Sequence, residues 1–237
     1  MKTLVLLSVF VAFFLATFAS AQCVAPCLFY AGDFDPNNDN SIGLSNESDA
    51  HVFGNPYGAA TYENFEVSGS SWNVTGLYTN NLSSLHPSTG YWEIRQGLSD
   101  GNGGTLIASG TGAITHTATG RVGLGLAEYN DLVSGLNLTL TPGLYWMAVV
   151  PQDLNGDGRS YNTNTFGLNQ VGTNIPDDQF WNSPFAGTYF TNQGFEGVIQ
   201  AFSAGVVGTA VPEPSSLMML GSGLLAAVGV VRRRLVR

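Results

Sequence analysis

The chain has 237 residues, and its 17 acidic residues outnumber its 8 basic residues, which gives a net charge of −9 at pH 7. An acidic chain repels phosphate backbones, so its charge argues against nucleic acid as a partner. The charges are also unevenly distributed. Between residues 22 and 210 there are three basic and sixteen acidic residues, whereas four arginines lie close to the C-terminal end. The charge therefore separates an acidic body from a basic tail.

The first residues have the pattern of a secretory signal peptide. Met1-Lys2-Thr3 is followed by an apolar run over residues 4–18 and then by Ala19-Ser20-Ala21. Small residues at this spacing are typical of a signal-peptidase cleavage site. We therefore predict a signal helix over residues 1–21. Signal peptidase is expected to remove it by cleaving the chain between Ala21 and Gln22. The mature chain is expected to be exported.

The sequence has two cysteines, Cys23 and Cys27, directly after the predicted cleavage site. Export makes a disulfide chemically permissible. A bridge between these residues would close a small loop and clip the first strand in place, and two free thiols are the alternative. Two cysteines without a histidine nearby make a poor zinc site.

The body, residues 22–205, is predicted to be all-β. It is rich in glycine, asparagine, serine and threonine, and no stretch has sustained helical spacing of its apolar residues. Many short strands separated by turn residues are typical of an antiparallel β-sandwich or jelly roll. Residues 206–210 are small and are interpreted as a linker to the tail. The predicted strands are 61–67, 72–78, 91–96, 105–109, 136–140, 144–150, 188–190 and 198–202.

The most regular strand pair lies on either side of Thr141-Pro142-Gly143. Residues 136–140 alternate between apolar and polar, as a half-buried strand does. Residues 144–150 are apolar almost throughout, which indicates a strand that is buried on both faces. The turn between the two predicts a hairpin whose second strand is central. The core is predicted to contain the four tryptophans, with a surface platform for sugars as the alternative at each: Trp72, Trp92, Trp146 and Trp181.

One short polar segment has the spacing of a calcium-binding loop. Asp153, Asn155 and Asp157 stand at alternate positions, and Gly158 follows them. Calcium prefers such oxygen ligands, and glycine permits the sharp turn. However, the twelfth position, where a helix-loop-helix site has a bidentate glutamate, is Asn164. Two interpretations stay open, a structural calcium site and a polar turn between strands.

No residue pattern in the body identifies a reaction. The three histidines, His51, His86 and His116, do not lie in a nucleophile motif. We predict that the protein is not an enzyme. Two alternatives stay open: a secreted polysaccharide hydrolase, which needs only two facing carboxylates, and a carbohydrate-binding module.

The tail contains an uncharged segment, residues 215–231, directly before Arg232, Arg233 and Arg234. As a helix this segment would span roughly 26 Å, slightly less than a hydrocarbon core of about 30 Å. Basic residues prefer the cytoplasmic side of a membrane span. The tail therefore predicts a transmembrane helix, with the three arginines as a cytoplasmic stop and the body outside.

Pro212-Glu213-Pro214 stands immediately before this segment. Over residues 211–237, the Pro-Glu-Pro sequence, the uncharged helix and the arginine cluster resemble the PEP-CTERM sorting signal of exported bacterial proteins, also named the ice-binding protein C-terminal domain. The resemblance implies that Pro212, Glu213 and Pro214 are recognised by exosortase, a membrane peptidase of bacteria that make exopolysaccharide. It also implies a precursor anchored in the inner membrane and a product at the cell surface or in the extracellular matrix. We expect a non-catalytic structural or adhesive protein.

Overall fold

A computed structural model describes residues 23–37, 43–54, 56–176, 178–193 and 201–211. Over these ranges the secondary structure consists of strands, so the all-β prediction is confirmed. No helix in this part of the chain is long and apolar enough to cross a membrane. The predicted signal helix, residues 1–21, and the predicted transmembrane helix, residues 215–231, lie outside the described residues.

The described residues form fifteen strands. Their bounds are β1 (Cys27–Tyr30), β2 (Leu44–Ser45), β3 (Ser48–Asp49), β4 (Ala60–Val67), β5 (Trp72–Ser83), β6 (Thr89–Gln96), β7 (Thr105–Gly123), β8 (Leu126–Leu140), β9 (Gly143–Asp153), β10 (Ser160–Asn162), β11 (Asn164–Thr165), β12 (Phe180–Ser183), β13 (Thr188–Asn192), β14 (Ala201–Phe202) and β15 (Ala204–Ala210).

The strands build two layers that share the long strand β7. The first layer has the order β1-β15-β5-β8-β7, and the second has the order β7-β6-β9-β4-β12-β13. Strand β7 belongs to both because residues 105–113 pair with β6 while residues 114–123 pair with β8. Strand β10 extends the first layer by pairing with β5, and β2 lies at its edge. The fold is therefore β-sandwich-like and largely antiparallel.

An apolar core fills the space between the layers. The ring of Phe65 on β4 stacks on that of Trp72 on β5, with centroids 6.0 Å apart. The hydroxyl of Thr79 on β5 donates a 3.0 Å hydrogen bond to the carbonyl oxygen of Val149 on β9. Both contacts cross from one layer to the other. The rings of Phe65 and Trp72 are removed from water at this contact. Burial of apolar surface stabilises the packing of the two layers by about 25 cal/mol per Å².

Strand β9 is buried on both faces, which explains its continuous apolar run. Tyr145 and Met147 belong to the core between the layers. Trp146 alternates with them and joins a second apolar cluster on the outer face of the second layer, together with Phe180 and Phe190. The predicted central position of this strand is confirmed, since β9 lies between β6 and β4.

The predicted hairpin between residues 136–140 and 144–150 is wrong. Strand β8 pairs with β5 and β7, whereas β9 pairs with β4 and β6. The turn after Leu140 therefore carries the chain from one layer to the other. The physical reason is that β9 needs apolar cover on both faces, while β8 has an alternating pattern with one face suited to burial.

The predicted linker at residues 206–210 is also wrong, because these residues belong to β15. This strand pairs with both β1 and β5, and Val206 and Val207 are buried. Its small residues serve close packing between strands. A Cβ atom added at Gly205 would collide with the ring of Tyr78. A composition typical of linkers thus also suits a tightly packed strand.

Cys23 and Cys27 form a disulfide in the structure, with their Cα atoms 5.7 Å apart. The two cysteines pack against Tyr30 and Tyr78, which are buried. The disulfide links Cys23, the first described residue, to Cys27, the first residue of β1. Its position agrees with the predicted disulfide that holds the first strand in place.

Candidate functional site

A cleft of about 260 Å³ opens where the edge of the first layer approaches β12 of the second layer. Three of its side chains are aromatic, and two are charged. We call it the aromatic cleft. Its lining residues are Ser45, Glu47, Val52, Arg159, Tyr161, Trp181, Ser183, Phe185 and Ala186.

The aromatic side chains of the cleft come from different elements. Along β12, Phe180 points into the second apolar cluster, so its neighbour Trp181 points to the opposite face of the strand. Tyr161 lies on β10 opposite Ser45 of β2. Phe185 lies in the turn between β12 and β13, and 63% of its surface is exposed. The cleft therefore presents aromatic surface that the fold itself leaves partly uncovered.

The indole of Trp181 has a fixed orientation. Its Nε1 donates a 2.9 Å hydrogen bond to the backbone carbonyl oxygen of Ser45. The residue is half-buried. A tryptophan with its nitrogen bonded and part of its ring exposed is a rigid apolar surface, which loses little conformational entropy when a ligand covers it.

Glu47 lies buried beneath the cleft. The hydroxyl of Ser45 donates a 2.8 Å hydrogen bond to its Oε1, and the backbone nitrogen of Ser160 donates a 2.6 Å bond to its Oε2. Burial raises the pKa of this carboxyl, and the two hydrogen bonds act in the opposite direction. Among the described lining residues Glu47 is the one carboxylate, so this part of the cleft lacks the facing pair that most glycosidases use.

Arg159 stands beside Glu47 with donors to spare. Its Nη1 lies 3.5 Å from Oε1 of Glu47, and 41% of its side chain is exposed. Within the described part of the chain, that Nη1 atom is buried and makes no hydrogen bond. A guanidinium carries five N–H donors, so the exposed part of this side chain offers donors to a ligand in the cleft.

The predicted calcium ligands lie at the end of β9 and in the turn after it. The backbone nitrogen of His86 donates a 3.2 Å bond to Oδ2 of Asp153. Asp157 pairs with Nε2 of His51, and Asn155 is exposed. Over the described ranges of the structure, no three His, Cys, Asp or Glu side chains could jointly hold a metal ion. Calcium stays a prediction at these residues.

The third histidine, His116, pairs with a buried aspartate. Its Nδ1 lies 2.5 Å from Oδ1 of Asp131, and its ring stacks on Tyr129 at 3.9 Å. Asn81 donates a 2.7 Å bond to the other oxygen of Asp131, and burial raises the pKa of this carboxyl. In the described contacts neither His116 nor Asp131 bonds a serine or cysteine.

Two further buried carboxylates are held by arginines. Glu93 accepts a 2.8 Å bond from Nε of Arg95 and a 2.9 Å bond from the hydroxyl of Tyr91. Glu128 accepts a 2.6 Å bond from Nε of Arg121. Buried charges are stable only when they are paired. The pairing accounts for these two acids as parts of the folded framework.

Glu63 is buried without an arginine. It accepts bonds from the backbone nitrogen of Phe202 at 2.7 Å and from the side-chain amides of Asn174 and Gln179 at 3.1 and 3.3 Å. Burial outweighs these bonds and raises the pKa of Glu63 to about 8. Burial therefore favours the protonated form of this carboxyl in the folded protein.

A second cleft, of about 310 Å³, lies on the outer face of the first layer. Thr115 and Thr117 line it from β7, and Asn130 lines it from β8. The threonines alternate along the strand and therefore share a face. The residues that line this cleft in the described ranges are uncharged, so it offers less to a ligand than the aromatic cleft does.

The sequence interpretation placed Trp181 in the core, but the structure places it at the rim of a cleft. The other three tryptophans are buried, as predicted. Tyr161, Phe185 and Arg159 were not singled out. For Trp181, the alternation of side chains along a strand was the one signal in the sequence. If Phe180 is buried, the next residue points to the other face of the strand.

The sorting segment has a counterpart among known families. A family model described as the PEP-CTERM protein-sorting motif matches residues 210–234, which confirms the resemblance. The match includes Pro212, Glu213 and Pro214 as well as Arg232, Arg233 and Arg234. These residues, and the predicted cleavage site at Ala21 and Gln22, lie outside the described part of the structure. No curated protein and no solved structure matches the chain.

Proposed function

From the PEP-CTERM sorting motif that this chain carries, we propose that it is a non-catalytic β-sandwich protein, processed by exosortase and displayed at the cell surface or in the exopolysaccharide matrix. The motif itself implies an exported, C-terminally sorted protein. In the proposed sequence of events, signal peptidase removes residues 1–21. Residues 215–231 then anchor the precursor in the inner membrane, with the arginines on the cytoplasmic side.

The position of the motif supports this proposal. Strand β15 ends at Ala210, and the matched segment begins at the same residue. A cut beyond this point leaves β15 paired with β1 and β5. The body is therefore expected to keep its fold after the tail has been removed.

The described buried acids support a non-catalytic body. Glu93 and Glu128 are each bonded to an arginine, and Glu63 receives three hydrogen bonds from neighbouring amides. These acids are engaged in holding strands together. Glycan binding is a second candidate function, which the aromatic cleft favours.

The test is Glu213→Ala in the full chain, expressed in an exosortase-containing host. We expect the wild-type product to lack its tail, as seen by mass spectrometry, and to reach the cell surface or the medium. The variant is expected to keep its tail and to accumulate in the inner-membrane fraction. Ser216→Ala, a control outside the Pro-Glu-Pro segment, should behave like the wild type. Normal processing of Glu213→Ala would overturn the proposal.

A further inference from the structure

The aromatic cleft leaves apolar ring surface uncovered in a concave site. Trp181 is held in place by its bond to Ser45, and Phe185 is 63% exposed in the turn beside it. Large apolar side chains usually gain free energy from burial, so aromatic rings gathered at a cleft indicate a surface that a ligand covers. A ligand that covers them must itself have an apolar face.

The polar group that is exposed in the same cleft requires a ligand that accepts hydrogen bonds. Arg159 is 41% exposed and offers N–H donors, whereas the Glu47 carboxyl beneath it is buried and held by Ser45 and Ser160. Each hydroxyl group can donate one bond and accept others. A pair of neighbouring hydroxyls therefore matches the N–H donors of the guanidinium. A pyranose ring combines such hydroxyls at its edge with C–H groups on its face, which pack against aromatic rings.

Size and charge narrow the class of ligand. The cleft, at about 260 Å³, is smaller than the range of about 300 to 1,000 Å³ typical of drug-sized ligands. It therefore suits a single sugar unit. The body has sixteen acidic residues against three basic ones, so its field disfavours an anionic polymer.

We propose that the aromatic cleft binds one pyranose unit of a neutral polysaccharide. Trp181, Phe185 and Tyr161 cover the apolar face of the sugar, while Arg159, which Glu47 holds from below, bonds its hydroxyls. The proposal rests on the proposed function, because a protein displayed in a polysaccharide matrix meets this ligand at high concentration. It also gives the body the adhesive role that the sorting motif leaves open.

The test is affinity electrophoresis of the protein, as isolated from cells, in native gels that contain dextran, galactomannan, barley β-glucan or alginate. We expect at least one of the three neutral polysaccharides to retard the wild type, and alginate to have no such effect. Truncation of one aromatic contact, in Phe185→Ala, should weaken the association constant about tenfold. Arg159→Ala should weaken it as well.

The matched control is Tyr189→Ala. This tyrosine is 61% exposed, close to the value for Phe185, and it does not line the cleft. It should bind like the wild type, and thermal unfolding should show that both variants are folded. The proposal is overturned if no neutral polysaccharide retards the protein, if alginate alone does, or if Phe185→Ala binds as well as Tyr189→Ala. If the wild type is processed normally but does not bind a neutral polysaccharide, only the assignment of the cleft is overturned. If the wild type binds a neutral polysaccharide but keeps its tail, only the proposed function is overturned.

Discussion

The indole nitrogen of Trp181 donates a hydrogen bond of 2.9 Å to the carbonyl oxygen of Ser45, a residue 136 positions earlier in the chain. Trp181 lies on β12 of the second layer, and Ser45 lies on β2 at the edge of the first. The bond therefore joins the two layers at the aromatic cleft. It also fixes the ring that we propose to contact sugar.

Trp181→Phe removes this hydrogen bond but keeps an aromatic ring in the cleft. The loss should lower the free energy of unfolding by about 1 kcal/mol, because the Ser45 carbonyl loses its donor. Urea unfolding measures the change. Trp146→Phe removes a comparable 2.8 Å bond to the carbonyl of Asp178 at a buried site. It should cost more, since it also opens space in the second apolar cluster. An unchanged midpoint for Trp181→Phe would contradict the bridging role.

Glu63 should make the protein less stable as the pH rises from about 4.5 to about 8. The pKa of this buried carboxyl rises from 4.5 to about 8 on folding. Between these values the unfolded chain releases the proton while the folded protein keeps it, so the folded state binds more protons and stability falls with pH. Below this window the effect of Glu63 is absent, and above it the loss is complete.

Glu63→Gln should remove that part of the pH dependence, which is on the order of a few kcal/mol. Glutamine is neutral throughout the window. The buried Oε1 of Gln179 has no hydrogen-bond partner among the described residues, and a rotated Gln179 amide would let it accept from the new side chain. The measurement is urea unfolding of both proteins at pH 5, 6, 7 and 8. Parallel curves for the two proteins would show that Glu63 does not titrate in this way.

Arg121→Ala should be strongly destabilising. Nε of Arg121 lies 2.6 Å from Glu128, and Nη1 lies 3.0 Å from Asp33, and both acids are buried. Removal of the arginine leaves two buried carboxylates without their partner, which costs about 3 to 5 kcal/mol for a broken buried pair. Thermal and urea unfolding measure the loss.

Arg159→Ala is the control for that prediction. Its side chain is 41% exposed and faces one carboxylate at 3.5 Å, so solvent screens the interaction. The expected loss is within about 1 kcal/mol. Equal losses for the two arginine variants would contradict the structural role given to the Arg121 cluster.

Calcium binding at Asp153, Asn155 and Asp157 is tested by chelation. An ion that binds only the folded protein raises its melting temperature, so EDTA should lower the melting temperature and added calcium should restore it. Asp157→Asn should abolish the response, whereas Glu66→Gln, at an exposed site on β4, should preserve it. A melting temperature that ignores both EDTA and calcium leaves a polar turn as the interpretation of this segment.

Several strands were predictable because their signals are local. The predicted strands at 61–67, 91–96 and 144–150 lie within β4, β6 and β9. Side-chain alternation and turn residues act over a few positions, so they can be recognised without knowing the partner strands. Strand β7 was predicted too short because its polar second half, Ile114–Gly123, carries no apolar run. Its pairing with β8 makes it a strand.

The amino-acid pattern alone was enough for the all-β class and the sorting motif, because both depend on short runs of residue types. The pairing partners of the strands depended on the complete fold. Only the fold decided that β9 lies in the second layer and that residues 206–210 belong to a strand. It also decided that β2, β10 and β12 lie around one cleft. Trp181, Tyr161 and Ser45 come from different strands, and no local pattern reports their approach. Such contacts arise only when every strand has found apolar cover and a hydrogen-bonding neighbour, which is a property of the whole chain.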